Sequence, residues 1–519
     1  MLLHDFLDYQ AREHPDRTFS EQGERRLSYR EAAALSNRLA RALLRAGVGH
    51  GDRFAYLAKN NLEYAVFFFA ASRIGAVPVP LNYRLAPAEL AYVVSDAGAE
   101  LVVARGEYVQ TIEGIRKDLP QARTFVAQDA PAPPGWVGLE EFAGVEQAAP
   151  PEARVSPDDD LYQMYTSGTT GRPKGAVLTQ RAVLSQFMQQ FVSVEVQHRD
   201  RVLVVAPLYH AAAAVTALGT SLGGGTLVIH EDFSPGEVVR ALSEDAISRT
   251  TLVPAMIQAC LAFVPDVADR SYDDLRLIVY GASPIAAETL RRAMEVFRCD
   301  FAQGYGMTET TAQLTLLTPE DHRRALRERP ELLLSAGRPL PATEIRIVDA
   351  EGREVPRGGI GEVVARGPQL MRAYWNLPEA TEEALRGGWL HTGDAGRMDA
   401  EGYITLEDRI KDMIVSGGEN IYPREVENVL FEHPAVADVA VIGVPDERWG
   451  ETVKAIVVLR PGAQATEEEI VEFSRGRLAG YKRPRSVDFV ESLPRNPSGK
   501  VLKKVLREKY WAGRERRVS

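Results

Sequence analysis

The segment YTSGTTGRPKG, residues 165–175, has the residue types of an anion-binding loop. Glycines let successive backbone N–H groups turn toward one ligand, hydroxyl groups add hydrogen-bond donors, and a lysine adds a compact positive charge. The residues of these three types are Gly168, Gly171, Gly175, Thr166, Ser167, Thr169, Thr170 and Lys174. Their spacing does not fit the Gly-x-x-x-x-Gly-Lys-Ser/Thr pattern of a P-loop. The segment predicts a phosphate-binding loop between two strands, with a solvated hairpin turn as the alternative.

Four later segments also gather polar side chains into short loops. They are QGYGMTE at 303–309, HTGDAG at 391–396, DRIKDMIVSGGEN at 408–420 and RNPSGKVLKK at 495–504. The first combines an aromatic ring, glycines, a hydroxyl group and a carboxylate, and the last presents Lys500 after a Pro-Ser-Gly turn. Each one alone could be an ordinary turn with charged residues. Their order along the chain therefore matters more than any single segment.

Together and in this order, these motifs resemble the ANL superfamily of adenylate-forming enzymes, and within it the acyl-CoA synthetases. The resemblance extends from about residue 20 to about residue 505. It implies a reaction in two steps that uses ATP, Mg²⁺ and coenzyme A. A carboxylate attacks the α-phosphorus of ATP to give acyl-AMP and pyrophosphate, and the thiol of CoA then displaces AMP. The partners implied are thus a small carboxylic acid, ATP and CoA.

The resemblance also implies four residues close to the reacting atoms. The loop at 165–175 would hold the β- and γ-phosphates, and Thr308 would donate to the α-phosphate. Glu309, a hard oxygen ligand, would bind Mg²⁺. Lys500 would reach between the acid and the α-phosphate and lower the repulsion between two anions. His210 would stand beside the acyl carboxylate as a gate, and not as a base, because a carboxylate is already ionised at neutral pH.

The same resemblance places a second group of residues around the adenosine. Tyr305 would stack on the adenine ring. Asp394 would accept hydrogen bonds from both ribose hydroxyls, with Arg409 adding a donor. The remaining residues expected at the nucleotide are Gly281, Ala282, Ser283, Gln303, Gly304 and Gly306.

A third group is implied for thioester formation. In this superfamily the C-terminal domain rotates between the two half-reactions, and Lys411 stands at the hinge position. Two glycines of the SGGEN segment would let the backbone lie against the thin pantetheine arm of CoA, and basic residues would meet the CoA phosphates. The residues expected at CoA are Ser416, Gly417, Gly418, Glu419, Arg424 and Lys482.

The elements that must position these residues begin with a regular alternation of strands and helices. Strand patterns at 53–58, 76–81 and 100–104 are separated by helix patterns at 61–75 and 86–98. This order of elements is typical of βαβ units, so it predicts a parallel sheet covered by helices. After about residue 410 the pattern changes to a small α+β unit.

The fold class expected is therefore α/β. It comprises a large N-terminal domain of parallel-sheet α/β subdomains plus a β-barrel-like part, with a small mobile α+β C-terminal domain. We expect the N-terminal domain at 1–408, a hinge at 409–411 and the C-terminal domain at 412–519.

Length and composition exclude several other classes of protein. The chain has 519 residues, 45% of them hydrophobic and 26% charged, which is typical of a globular protein with more than one domain. A net charge of −11 argues against nucleic-acid binding. The charged residues from Arg475 onward are nevertheless mostly basic, which suits a small polyphosphate ligand or, as the alternative, a solvated basic helix.

Cysteines and apolar segments predict a cytoplasmic protein. Cys260 and Cys299 are far apart and lack neighbouring histidines, so neither a disulfide framework nor a zinc site is indicated. The first residues lack the pattern of a signal peptide, and no apolar run is long enough to span a membrane. Peripheral membrane contact and a homodimer are left open.

The acyl pocket should be lined by segments that follow the predicted strands. They are HAAAAV at 210–215, TTLVPAM at 250–256, GASP at 281–284 and TTAQLTLL at 310–317. Nearly all of these residues are small or apolar, and none is an arginine or lysine that could pair with a second carboxylate. The segments predict a hydrophobic monocarboxylic acid, a medium- or long-chain fatty acid first and an aryl acid as the alternative.

Three other functions stay open at this point. An adenylating enzyme of the same fold could pass the acyl group to a carrier protein or an amine. A luciferase-like oxygenase shares the motifs. A sensor that binds an acyl nucleotide without catalysis would need fewer of the residues above.

Overall fold

The described part of the chain is a mixed α/β protein. The computed structural model describes residues 1–144, 149–166, 172–194, 197–283, 285–495 and 501–512. The helices in these ranges are α1 Leu3–Glu13, α2 Tyr29–Arg45, α3 Tyr64–Ile74, α4 Pro87–Ala97, α5 Gly106–Ile115, α6 Leu139–Ala143, α7 Gln180–Val194, α8 Ala211–Thr220, α9 Pro235–Glu244, α10 Pro254–Phe263, α11 Ala287–Phe297, α12 Pro319–Arg327, α13 Pro378–Ala384, α14 Pro423–Phe431, α15 Glu467–Phe473 and α16 Lys503–Trp511.

The strands form five sheets. In chain order they are β1 Thr18–Gln22, β2 Arg25–Ser28, β3 Arg53–Leu57, β4 Val77–Pro80, β5 Leu101–Arg105, β6 Thr124–Gln128, β7 Val137–Gly138, β8 Asp160–Thr166, β9 Lys174–Thr179, β10 Arg201–Val204, β11 Thr226–Ile229, β12 Arg249–Leu252, β13 Leu277–Gly281, β14 Asp300–Tyr305, β15 Thr315–Leu317, β16 Arg338–Pro339, β17 Glu344–Val348, β18 Ile360–Arg366, β19 Ala373–Tyr374, β20 Leu390–Met398, β21 Ile404–Arg409, β22 Ile414–Ser416, β23 Glu419–Ile421, β24 Val436–Asp446, β25 Gly450–Leu459 and β26 Ser486–Phe489.

The first sheet confirms the predicted βαβ units. Its strand order is β4-β3-β5-β6-β7, and every neighbouring pair is parallel. Strand β3 is buried along its whole length, as is helix α3, because both are covered on every side. An apolar helix of this kind belongs in the interior of an α/β layer. Among the described residues, no helix combines the length and the apolar character that a membrane crossing requires.

The largest sheet brings together strands from widely separated parts of the chain. Its order is β16-β15-β14-β13-β12-β10-β11-β1-β2, and β1 and β10–β14 run parallel to one another. Residues Gly281 and Tyr305 end the neighbouring strands β13 and β14. Ligands of open α/β sheets bind at this carboxyl edge, so the sheet alone points to the region around these two residues.

Two smaller antiparallel sheets complete the large domain. One has the order β17-β18-β20-β21, and the other has the order β19-β9-β8. Strands β8 and β9 pair with Thr166 opposite Lys174, so the loop at 167–173 does join two strands of a hairpin, as predicted. The predicted α/β class is confirmed.

The C-terminal unit is built on its own antiparallel sheet. The order is β23-β22-β25-β24, and β26 pairs with β25. Thr466 caps the start of helix α15, because its side chain accepts a hydrogen bond from the backbone N–H of Glu469. Apolar residues of β24, β25, α14 and α15 pack into a core of this unit. The short helical turn Ile410–Asp412 connects it to strand β21.

Candidate active site

The first cluster of the site joins Tyr305, Asp394 and Arg409 across three strands. Asp394 and Arg409 are paired directly across β20 and β21. The guanidinium Nε of Arg409 lies 2.7 Å from one carboxylate oxygen of Asp394, and the hydroxyl of Tyr305 donates to the other at 2.8 Å. Burial and the neighbouring carboxylate raise the pKa of Tyr305 well above its ordinary value, so the hydroxyl stays protonated. These three residues hold one another in fixed positions.

A second cluster surrounds Glu309. This residue lies in the helical turn Thr308–Thr310 directly after β14, with 5% of its surface exposed. The hydroxyl of Tyr374 donates to its carboxylate at 2.7 Å, and Nζ of Lys174 lies 4.9 Å from the centre of the Tyr374 ring. Burial and the carboxylate both raise the pKa of Tyr374. The cluster therefore connects the end of the predicted phosphate loop with the predicted magnesium ligand.

Several predicted glycines have a structural reason that does not involve a ligand. A Cβ atom on Gly281 would collide with the carbonyl oxygen of Gly304, and one on Gly304 would collide with the side chain of Gln313. A Cβ atom on Gly306 would collide with the backbone of Ala312. Ala282 has a positive φ of 66°, where the chain turns out of strand β13. Close packing at the carboxyl edge thus requires these small residues whether or not a nucleotide is bound.

A buried chain of hydrogen bonds lies behind the predicted adenine site, and it was not predicted from the sequence. The hydroxyl of Tyr280 lies 2.9 Å from Nε2 of His322 and 3.3 Å from Oε1 of Gln303. Nδ1 of His322 lies 2.8 Å from the carbonyl oxygen of Thr318. Burial lowers the pKa of His322 to about 4, so the ring is neutral at physiological pH. A strand pairing that sets Tyr280 opposite Gln303 creates the chain, and pairing of this kind is invisible in a single motif.

His210 is the residue immediately before helix α8. Its Nε2 atom is buried and has no hydrogen-bond partner among the residues that the structure describes. Burial, with a smaller contribution from Arg84, lowers the pKa of His210 to about 4. The ring is therefore neutral near pH 7.

Two narrow cavities with the common lining residue Thr216 lie between helix α8 and the large sheet. The cavity nearer to His210 along the chain, lined by Ala213, has a free volume of about 10 Å³, and the farther cavity, lined by Thr220, has a free volume of about 20 Å³. Three predicted lining residues contribute to them: Ala213 and Thr251 directly, and Gln313 through its hydrogen bond with the cavity residue Gln190.

One basic residue of the farther cavity lies outside the predicted lining segments. Those segments contain no arginine or lysine, but Arg249, one residue before TTLVPAM, lines the farther cavity. Residues two apart on a strand share a face, so Arg249 lies on the same face of β12 as Thr251. That alternation was the signal in the sequence that could have identified Arg249.

The residues predicted to meet CoA lie on the C-terminal unit. Gly417 and Gly418 form the turn between β22 and β23 with φ angles of 61° and 88°, which glycine tolerates best. The N–H of Gly417 donates to the carbonyl oxygen of Trp449 at 2.8 Å. Lys482 is paired with both carboxylate oxygens of Glu425, at 2.8 and 2.7 Å, so it would have to leave this partner to meet a phosphate.

The basic C-terminal helix has a different role from the one that its charge suggested. Nζ of Lys503 lies 2.9 Å from a carboxylate oxygen of Asp408 and 2.9 Å from one of Glu427, and Arg507 donates to Asp412 at 2.7 Å. Nearby, burial lowers the pKa of Arg424. These basic groups neutralise carboxylates where the C-terminal unit meets β21. Lys503 and Arg507 are thus engaged in an internal charge cluster.

Some predicted residues cannot be placed. Ser167, Gly168, Thr169, Thr170 and Lys500 lie outside the described residues. Within the described ranges, no group of three or more His, Cys, Asp or Glu side chains could hold a metal by itself. A magnesium ion at Glu309 would have to share its coordination with phosphate and water oxygens, as Mg²⁺ commonly does.

Comparison with known proteins gives the same assignment for nearly the whole chain. A profile of the AMP-binding enzymes matches residues 7–375, and a profile of the AMP-binding enzyme C-terminal domain matches residues 425–500. The chain is 40% identical over 505 residues to a feruloyl-CoA synthase from Amycolatopsis sp, covering 96% of this chain and 97% of that protein.

Two further proteins are similar over almost their full lengths. The long-chain-fatty-acid–CoA ligase FadD13 from Mycobacterium tuberculosis is 39% identical over 490 residues, which cover 94% of this chain and 94% of that protein. The crystal structure of ATP-bound MatB from Rhodopseudomonas palustris superimposes with a TM-score of 0.89 at 31% identity, covering 98% and 99% of the two chains.

Proposed function

The chain belongs to the AMP-binding enzyme family and is an ATP-dependent acid:CoA ligase of the ANL superfamily, and on that premise we propose the acid and the residue roles. The acid has a hydrophobic body, a fatty chain first and an aryl group as the alternative. The small side chains of Ala213 and Thr216 along the cavity support this proposal. The two relatives described above are named for a feruloyl and a long-chain fatty acyl substrate, and both have apolar bodies.

In the first half-reaction, the Tyr305 cluster binds the adenosine. Asp394 accepts the ribose hydroxyls, and Arg409 keeps this carboxylate oriented. Because the carboxylate is already held on both oxygens, little reorganisation is needed when the nucleotide binds. The adenine packs against the ring of Tyr305, with Gln303 at its edge.

The phosphates lie on the side of the cleft that Glu309 and Lys174 occupy. Glu309 fits Mg²⁺ because it is a buried carboxylate whose second oxygen has no hydrogen bond from Tyr374. When bound, Mg²⁺ neutralises charge on the phosphates and stabilises pyrophosphate as a leaving group. Lys174 and Thr308 donate to phosphate oxygens, and His210 orients the acid carboxylate toward the α-phosphorus. Lys500 has the role that the motif implies, between the two anions.

In the second half-reaction, the C-terminal unit turns about the segment 409–411. The domain limits are those expected from the sequence, 1–408 and 412–519, with Lys411 at the hinge. The turn Gly417–Gly418 then faces the pantetheine arm, and Lys482 exchanges Glu425 for a CoA phosphate. The exchange is a testable feature, because the ion pair is partly exposed and therefore weak.

The observation that carries the proposal is the convergence of the two clusters around Asp394 and Glu309 at the carboxyl edge of the large sheet. The test is mass spectrometry of purified protein with Mg-ATP and a mixture of fatty and aryl acids, with and without CoA. We expect an acyl-CoA product that requires both ATP and CoA. Acyl-AMP without a thioester would move the search for an acceptor to carrier proteins and amines.

The role of Lys500 has a separate test. Lys500→Ala should suppress acyl-AMP formation but spare thioester formation from supplied acyl-AMP. Equal loss of both half-reactions would refute the role.

The compartment and the oligomeric state are also proposals. A cytoplasmic location suits the need for ATP and CoA and the two free cysteines, Cys260 and Cys299. Light scattering on the purified protein would decide between a monomer and the homodimer that we leave open.

A further inference from the structure

The acid cavity continues along the large sheet, away from the nucleotide cleft. Its wall on helix α8 consists of small residues at helical spacing, Ala213, Thr216 and Thr220. The seven helical rises from Ala213 to Thr220 correspond to about 10 Å. On the opposite wall, Thr251 and Arg249 are two residues apart on β12, or roughly 7 Å. The cavities are narrow, but the residues that line them extend over the length of a medium-sized acid, and Arg249 is in the lining of the farther one.

Arg249 is buried and unpaired at this end. Only 5% of its surface is exposed, and its Nε atom has no hydrogen-bond partner in the described ranges. Its guanidinium group makes no hydrogen bond or ion pair to any residue that the structure describes. Burial lowers the pKa of Arg249 to about 10, which leaves it charged near pH 7.

Asp200 lines the same cavity, and its charge raises the pKa of Arg249, but both of its carboxylate oxygens are engaged by other groups. One oxygen of Asp200 accepts hydrogen bonds from Ser248 at 2.8 Å and from Arg276 at 2.6 Å. The other accepts from the backbone N–H of Gln197 at 3.0 Å. Two guanidinium groups and one carboxylate thus leave one positive charge in excess. An uncompensated charge of this kind is unfavourable inside a protein unless a ligand pairs with it.

Building on the proposed function, we propose that the acid carries an oxygen acceptor at the end remote from its reacting carboxylate, and that Arg249 binds this oxygen. The acceptor is a second carboxylate on an aliphatic chain or a para-oxygen on an aryl ring. Both present lone pairs in the plane of a guanidinium fork. A methyl end would leave the arginine desolvated and unpaired, so the cavity selects against it.

The position of Arg249 separates this site from the phosphate site. Arg249 is the first residue of β12, whereas the nucleotide residues follow the last residues of β13 and β14. These strands are parallel, so Arg249 lies at the opposite edge of the sheet. It is therefore placed to contact the far end of the acid, and not ATP.

The test compares acids that differ only at the far end. The pairs are nonanoic and nonanedioic acid, and cinnamic and 4-hydroxycinnamic acid. Pyrophosphate release gives kcat/KM for each acid with the full-length enzyme and Mg-ATP. We expect the oxygen-bearing acid of at least one pair to have a kcat/KM about 10- to 100-fold higher than its partner. The pair that shows the preference identifies the source of the oxygen.

Arg249→Met supplies the decisive variant, since methionine fills a similar space without a charge. We expect the preference to reverse toward nonanoic or cinnamic acid. Arg201→Met is the matched control, because Arg201 is on the neighbouring strand β10, pairs with Glu21 and does not line the cavity. Thermal unfolding of both variants checks that they fold.

The outcomes separate this inference from the proposed function. If none of the acids leads to release of pyrophosphate, both the proposed function and this inference are wrong. Activation of the methyl-ended acids as efficiently as their partners would overturn the inference and leave the ligase intact. A preference that persists in Arg249→Met would overturn the role of Arg249.

Discussion

The nucleotide cleft and the acid cavity differ in how their polar groups are paired in the absence of substrate. In the cleft, Asp394 is held by Tyr305 and Arg409, and Glu309 is held by Tyr374. Nε2 of His210, just before helix α8, and Nε of Arg249 in the cavity have no hydrogen-bond partner among the described residues. The two carboxylates of the cleft are thus held by neighbouring side chains, whereas these two nitrogen atoms are left for a ligand.

This difference corresponds to two tasks. Every substrate pair includes the same nucleotide, so a cleft whose donors and acceptors are already fixed saves reorganisation in each turnover. The acid varies from one ligase to another, and an unpaired group in an otherwise apolar cavity discriminates strongly because the wrong acid leaves it unsatisfied. The predictions below test this contrast, starting with the largest effect.

Glu309→Gln should give the largest loss of activity. The amide keeps the size of the side chain but removes the charge that the metal requires, and loss of a metal ligand of this kind is worth about 3–4 kcal/mol, or 10²- to 10³-fold in rate. Pyrophosphate release at increasing magnesium concentrations measures the effect. Glu383→Gln, an exposed carboxylate on α13, is the control. A variant at position 309 with more than a tenth of the normal rate would contradict the assignment.

Substitutions in the two regions should have opposite effects on the free energy of unfolding. Asp394→Asn leaves Arg409 without a counter-charge, so we expect the free energy of unfolding to fall by about 2–4 kcal/mol. Arg249→Met removes a charge that has no partner, so we expect no loss and a higher melting temperature. Thermal unfolding without substrates measures both. Equal destabilisation would show that Arg249 is paired in solution, and the contrast between the regions would fail.

Acidification should destabilise the protein through one histidine from each region. Burial lowers the pKa of His210 and of His322 to about 4 in the folded chain. Between about pH 6.5 and pH 4 the unfolded chain therefore binds more protons, and the free energy of unfolding falls with pH by up to about 1.4 kcal/mol per unit for each histidine.

The corresponding variants should lose less stability on acidification. We expect the fall in melting temperature between about pH 7 and pH 5 to be smaller in His210→Gln and in His322→Gln than in the unmodified protein. His14→Gln, at an exposed position, should leave it unchanged. If neither buried variant differs from the unmodified protein, these rings are more hydrated than their burial indicates.

The sequence predicted the cleft better than the cavity, for a physical reason. Tyr305, Glu309, Asp394 and Arg409 occur in short motifs, as expected of residues that would contact a ligand of constant shape. The partner Tyr374 was missed, although its hydrogen bond fixes Glu309, because it lies on β19, distant in sequence. The alternation of strand and helix patterns at 53–104 also permitted the first parallel sheet to be predicted.

Arg249 and the basic C-terminal helix show where such prediction fails. Arg249 is in no motif, and only the pairing of β12 with β10 places it in the lining of the cavity. The charge of α16 was visible, but its partners Asp408 and Glu427 lie on other elements. Charge composition reveals that a group needs a partner, and only the tertiary structure reveals which one.

The smallest effect that we predict concerns the choice of nucleobase. The carbonyl oxygen of Thr318 can only accept, so Nδ1 of His322 carries the ring proton and Nε2 accepts from the hydroxyl of Tyr280. The hydroxyl of Tyr280 then has no second proton to donate to Gln303. In the structure Oε1 of Gln303 is the atom 3.3 Å from the Tyr280 hydroxyl, so a hydrogen bond between the two side chains requires the flipped amide, with N–H₂ toward Tyr280 and the carbonyl oxygen toward the cleft. We expect that oxygen to accept from the exocyclic amine of adenine and to repel the corresponding oxygen of hypoxanthine.

Tyr280→Phe frees the amide to turn, so the ratio of kcat/KM for ATP to that for inosine triphosphate should fall about 3- to 10-fold. The control is Tyr272→Phe, which removes another buried hydroxyl in the same apolar core, one that donates to the carbonyl oxygen of Val267. The control should lower stability without changing the ratio. If both variants change the two nucleotides equally, Tyr280 only supports the core, and the orientation of Gln303 is set by the nucleotide after it binds.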